Sequence, residues 1–149
     1  RDFETINAAV TAAETGHLVL STLHTTGAAP TIDRIIDVYP PHSQGQIRSQ
    51  LANAIVGIIS QTLVPTSDGK GRCAALEVLA ATDAIRSMIR EGKIFQVPTA
   101  VATGKKYGMF TLDQDLARLV RMGKVNDAVA RTRVQDLGEY KRYLEMGVN

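Results

Sequence analysis

The stretch His17–Leu23, HLVLSTL, constrains the fold more than any other. Its unbroken Leu18-Val19-Leu20 centre suits a strand walled on both faces, and such strands belong to parallel sheets flanked by helices. In front of it, Asp2 can N-cap a helix in which Phe3, Ile6, Val10 and Ala13 share one face, with Gly16 as the stop. Behind it, a second helix begins near Thr26 or Gly27. That helix tolerates Pro30 in its first turn and ends at Tyr39-Pro40-Pro41. Helix, strand and helix in that order predict an α/β core.

Ser43 and Gln46 have the spacing of a capping box. They would open a longer helix with Ile47, Leu51, Ala54, Ile55 and Ile58 on one stripe. Two strand-like runs, Ile59–Pro65 and Arg72–Leu79, flank the turn TSDGKG and predict a hairpin. The remainder reads as helical. Thr82 or Asp83 caps a helix through Arg90, stopped by Gly92, and Pro98 interrupts the segment that follows. Thr111 and Gln114 form another capping box, opening a helix that turns Leu112, Leu116, Leu119 and Val120 inward and stops at Gly123. Two short helices close the chain. The expected organisation is therefore an α/β part over residues 1–80, a partial sheet plus hairpin, and a helical C-terminal part over 81–149.

The 149 residues are 44% apolar and 21% charged, which suits one globular domain with a real core. A formal charge of +2, with basic residues spread along the chain, does not argue for a nucleic-acid partner. No apolar run approaches the roughly 20 residues of a bilayer span. Cys73 is the sole cysteine, so there is no internal disulfide and no CxxC pair, and a cytoplasmic location fits. The sequence opens on Arg1 immediately before a helix cap, which reads as a piece of something longer.

His17 and His24 bracket the apolar run. Their odd separation points them to opposite faces of a strand, so they would not share a metal from that strand alone. His24 sits at the end where ligands gather in open α/β sheets, and a neutral imidazole there can hydrogen-bond a phosphate or a water. The plainer alternative for either ring is a histidine satisfied by backbone at a strand end. Asp2 and Glu4 suit a helix's first turn on dipole grounds alone, and a catalytic role would require them to face a metal or a phosphate. Arg86 and Arg90 lie four apart on one helix face, a mildly repulsive pair. A solvated face is the plain reading. An acidic partner or a phosphate would explain the pair better.

Taken together, RDFETINAAVTAAETGHLVLSTLHTTGAAPTIDRIIDVYP, QIRSQLANAIVGIISQTLVP, GRCAALEVL, AIRSMIREGK and GMFTLDQDLARLVRMGKV resemble the second half of the ATPase core of secretion motors. The likeness is greatest to the ATPases that retract type IV pili. It runs from residue 1 to about 125 and is weak over the last 25 residues. It implies a RecA-like core, of which this would be the C-terminal portion. TGHLVLSTLHT resembles the family's His box. By that resemblance His24 lies near the γ-phosphate of ATP, and His17, at the first His-box position, also belongs to the ATP phosphate region. RDFET resembles the end of the acidic Walker B segment, which implies that Arg1, Asp2 and Glu4 lie close to Mg2+ and the phosphates. Ala84, Ile85, Arg86, Ile89, Arg90 and Glu91 match a motif linked in the family to retraction, with Ser87 and Met88 standing where the family has Asn and Leu.

The resemblance also implies a homo-hexamer, a partner in the pilus platform protein of the inner membrane, and a peripheral position on the cytoplasmic side. The phosphate-cradling G-x-x-x-x-G-K-[ST] motif does not occur in the sequence; Gly69-Lys70-Gly71 and Gly104-Lys105-Lys106 lack its spacing. These residues alone are therefore expected to be inactive, and to self-associate through exposed core surface. The neighbouring readings are a paralogous retraction ATPase, an assembly ATPase, whose usual paired CxxC motifs a single Cys73 cannot supply, a non-catalytic module of a motor ring and, more distantly, a nucleic-acid motor.

Overall fold

The computed structural model describes residues 2–146. Helix α1 spans Phe3–Glu14 and is opened by Asp2, whose carboxylate accepts the Thr5 amide at 2.8 Å. It turns Ile6 and Val10 inward and ends at Thr15, after which Gly16 takes a φ of 94°. Helix α2 (Ala28–Asp37) follows an extended segment, and a 3₁₀ turn at Pro41–Ser43 leads into α3 (Gln44–Ala54). Strands β1 (Gly57–Pro65) and β2 (Arg72–Ala80) form an antiparallel hairpin, with Ser60 opposite Glu77 and Val64 opposite Cys73. Five helices complete the described chain: α4 (Asp83–Arg90), α5 (Val97–Thr103), α6 (Leu112–Arg121), α7 (Asp127–Arg131) and α8 (Leu137–Glu145).

Three sequence expectations fail here. Helix α3 stops at Ala54, so Ile55, which is extended, and Ile58, which lies in β1, do not continue its apolar stripe. The segment His17–Leu23 is extended but joins no sheet, because the hairpin is the only sheet among the described residues. A doubly walled strand needs hydrogen-bonding neighbours and a cover on each face. Here Leu18 and Leu20 are 81% and 88% exposed, so one face stands open. The partial sheet is thus reduced to the hairpin. The capping box at Ser43 and Gln46 does not form either: Ser43 makes no side-chain cap bond and its backbone is already helical. The preceding 3₁₀ turn runs straight into α3, which removes the extended geometry a capping residue needs. The box at Thr111 and Gln114 is complete, because Thr111 is extended (ψ 163°).

Two hydrophobic clusters hold the molecule. One gathers α1 to α5 around Ile32, Ile36, Ile47, Leu79, Ile85, Ile89 and Val97. The other joins the outer part of the hairpin to α6, α7 and α8 through Val64, Ala75, Leu116, Ala130 and Tyr140. Gly104, between α5 and Met109, is tightly enclosed. A Cβ there would stand 2.2 Å from Met109 Cε and 2.9 Å from the Ala100 carbonyl oxygen. The methionine can swing away but the carbonyl cannot. Gly104→Ala is therefore expected to destabilise the fold by about 1–2 kcal/mol, as overpacking does. An unchanged thermal midpoint would refute the close packing.

Candidate functional site

Thr5, at the start of α1, and Thr25, at the end of the extended segment that follows it, line one open groove of about 780 Å³, and Ala13 and His17 line it from the opposite ends of these elements. His24 is not itself among the lining residues, although its neighbours Leu23 and Thr25 are, and neither Asp2 nor Glu4 lines the groove. His17 is exposed, and its Nδ1 lies 3.2 Å from both the Ala12 carbonyl and the Thr15 hydroxyl, closing the last turn of α1. His24 is also exposed and makes no hydrogen bond to the described residues, so its ring is open to a ligand. The Thr5 amide holds the Asp2 carboxyl below the usual carboxylate range, and Glu4 is exposed. Arg1 lies outside the described residues.

The corner after His24 is built firmly. Gly27 takes a φ of 104°, which favours glycine, and its amide donates to Ser60 Oγ at 2.9 Å. The Ala28 amide, first of α2, donates to Glu77 Oε1 at 2.8 Å. Thr31 donates to the Gly27 carbonyl at 2.7 Å, and its hydroxyl lies 2.6 Å from that of Thr25. Ser60 and Glu77 are cross-strand partners, so both strands of the hairpin grip the start of α2. Sequence reasoning overlooked these two residues. A signal existed: alternation puts Cys73, Ala75, Glu77 and Leu79 on one face of β2, and Glu77 is the charged residue among them. A carboxylate on such a face must meet donors.

The α4 motif divides by face. Ile85 and Ile89 are fully buried in the first cluster. Ala84 is exposed, and exposed Glu91 pairs with Lys93 at 2.7 Å. Among the described residues the arginines meet no acidic side chain. Arg86 Nη1 donates to the carbonyls of Ala52 and Asn53, and Arg90 Nη2 donates to Asn53 Oδ1 at 3.3 Å. Both arginines thus cap the C-terminus of α3, where unpaired carbonyls and the helix dipole supply negative potential. These contacts offset the mild repulsion of the like-charge pair.

Among the described residues, no group of three or more His, Cys, Asp or Glu side chains could hold a metal ion, and no helix is long and apolar enough to cross a membrane. The family described as type II/IV secretion system protein matches residues 1–135. The chain belongs to that family. It is 52% identical over 136 residues to a twitching motility protein of Neisseria gonorrhoeae, covering 91% of this chain and 36% of the relative. It is 49% identical over 135 residues to the type IV pilus retractation ATPase PilT of Pseudomonas aeruginosa, covering 91% and 39%. Among solved structures, it is similar to the pilus retraction motor PilT with bound ADP, at a TM-score of 0.85 and 42% identity over 95% of this chain and 39% of that one. The ATPase DotB of Legionella pneumophila gives 0.76 at 31% identity, over 89% and 36%. The α/β class expected from the sequence agrees with these secretion ATPases. The chain spans less than two fifths of the length of each of these four relatives.

Proposed function

We propose that these residues are the C-terminal part of an ATP-hydrolysing motor that retracts type IV pili. Support comes from one observation above all: about half of the residues are identical, over nine tenths of the chain, to proteins named for twitching motility and pilus retraction. In this reading residues 1–80 complete a RecA-like ATPase core and residues 81–149 form its helical C-terminal part. The whole protein works as a homo-hexamer on the cytoplasmic face of the inner membrane, against a platform protein of the pilus. Nucleic acid is not its partner, and the isolated 149 residues are inactive and self-associate through the exposed faces of Leu18, Leu20 and Ile59.

Bound ATP supplies the phosphoanhydride bond that is cleaved. His24 suits a phosphate contact because its ring is exposed and unpaired at a corner fixed by Ser60, Glu77 and Thr31. The imidazole would donate to a γ-phosphate oxygen and move with the corner when that oxygen leaves. His17, tied to the end of α1, fixes the start of the extended segment. Asp2, Glu4 and Arg1 would stand on the phosphate side. Mg2+ is commonly held by one or two carboxylates together with phosphates and water. One Asp2 oxygen is already committed to the Thr5 amide, so these residues offer only part of such a site. The α4 motif, Ala84 to Glu91, would transmit the movement through its seat on α3. In the full-length motor, His24→Ala is expected to lower ATP turnover at least about tenfold, the loss of one charge-assisted contact, while the hexamer persists. Unchanged turnover in an intact hexamer would refute the role of His24.

A further inference from the structure

Glu77 is 8% exposed and has no ion-pair partner among the described residues. Its two oxygens serve two helices that are far apart in sequence. Oε1 accepts the amide of Ala28, first residue of α2, at 2.8 Å, and Oε2 accepts the amide of Leu112, first residue of α6, at 3.3 Å. A carboxylate facing two helix N-termini is stabilised by both dipoles without a cation. The next residue reinforces the link to α6: the Val78 amide donates to the Phe110 carbonyl at 2.9 Å, and the Phe110 amide donates back at 3.2 Å. On the α2 side, Glu77 acts at Ala28, four residues beyond His24.

We infer that Glu77 is a positioning residue that ties the His24 corner to α6, so that nucleotide occupancy at that corner is felt at the start of the C-terminal helices. Displacing α2 by more than a few tenths of an ångström must either break the Ala28 contact or carry the carboxylate with it, and the carboxylate also holds α6. Ser60 fixes only Gly27 and has no part in the transmission. The assignment rests on the reading of His24 as the phosphate-side residue.

The test is amide exchange in the full-length protein, with and without a non-hydrolysable ATP analogue, followed in peptides covering residues 22–31 and 108–116. Wild-type protein is expected to slow exchange in both peptides on adding the analogue. Glu77→Gln presents an N–H₂ to one of the two amides and so keeps a single contact. It is expected to retain the response at 22–31 and to lose the response at 108–116 by at least about fivefold, the lower range of inter-site coupling. Ser60→Ala is expected to keep both responses. A Glu77→Gln protein with both responses intact overturns the inference, as does a wild-type protein that responds only at 22–31; the latter result stands even where Glu77→Gln fails to assemble. Loss of the 108–116 response in Ser60→Ala would also overturn it. Absence of any response at 22–31 despite bound ATP analogue would instead overturn the placement of His24 beside the γ-phosphate, and the inference with it.

Discussion

Arg86→Ala is expected to lower stability by about 2–3 kcal/mol, and the thermal midpoint by about 5–10 °C. Arg86 donates to two carbonyls, those of Ala52 and Asn53, at the end where α3 hands the chain to β1. Hydrogen bonds from a charged donor contribute about 1.5–3 kcal/mol each, and water can replace only part of this at a half-buried site. Arg86→Lys should recover less than half of the loss, because a lysine offers one point charge where the guanidinium forks to two acceptors. Arg90→Ala should cost less than Arg86→Ala, since its one contact, to Asn53 Oδ1, is long and exposed. Thermal denaturation of the three variants checks the order. Equal midpoints for wild type and Arg86→Ala would show that the α3 cap contributes nothing. The result bears on function. In the proposed motor, loss of activity in Arg86→Ala together with a fallen midpoint would trace the effect to the seating of α4 on α3.

This cap shows why some of the molecule was legible in the sequence and some was not. Asp2, Thr82 and Thr111 each accept an amide three residues ahead, so the signal and its partner lie within one turn. The hairpin was legible for the same reason: a polar turn joins two alternating runs that pair with each other. The acceptors for Arg86 are main-chain carbonyls more than thirty positions back, and no side-chain pattern marks a carbonyl. Glu77 reaches amides 49 and 35 positions away, so its partners were equally invisible, although its lone charge on an apolar face was not. The segment at His17–Leu23 failed in the other direction. Its composition encodes burial, but a strand exists only where another strand pairs with it, and the hairpin closes on itself. Ser43 has a capping side chain, yet the 3₁₀ turn before it decides the backbone.

Asp115→Ala is expected to be at least as damaging, at about 2–4 kcal/mol. Asp115 is 3% exposed, and its oxygens are divided between two tasks. Oδ2 accepts the Leu76 amide at 2.8 Å, and Oδ1 takes the Arg118 guanidinium at 2.7 Å. In the antiparallel hairpin Val78 points its amide away from β1 toward Phe110, and Leu76, two residues before it, points its own toward α6. The carboxylate therefore stands in for a neighbouring strand at the free edge of β2. Removing it buries an amide with no partner, which costs about 1–3 kcal/mol. It also strands Arg118, although that side chain is half exposed and water relieves most of its loss. Asp115→Asn keeps an oxygen for Leu76 and gives up the ion pair, so it should cost about 1 kcal/mol. The gap between the two variants measures the edge contact itself. Urea midpoints for Asp115→Ala and Asp115→Asn that coincide would mean that the Leu76 amide is satisfied without Asp115, and that α6 is held on the hairpin by Leu112, Leu116, the Glu77 contact to the Leu112 amide and the Val78–Phe110 bridge.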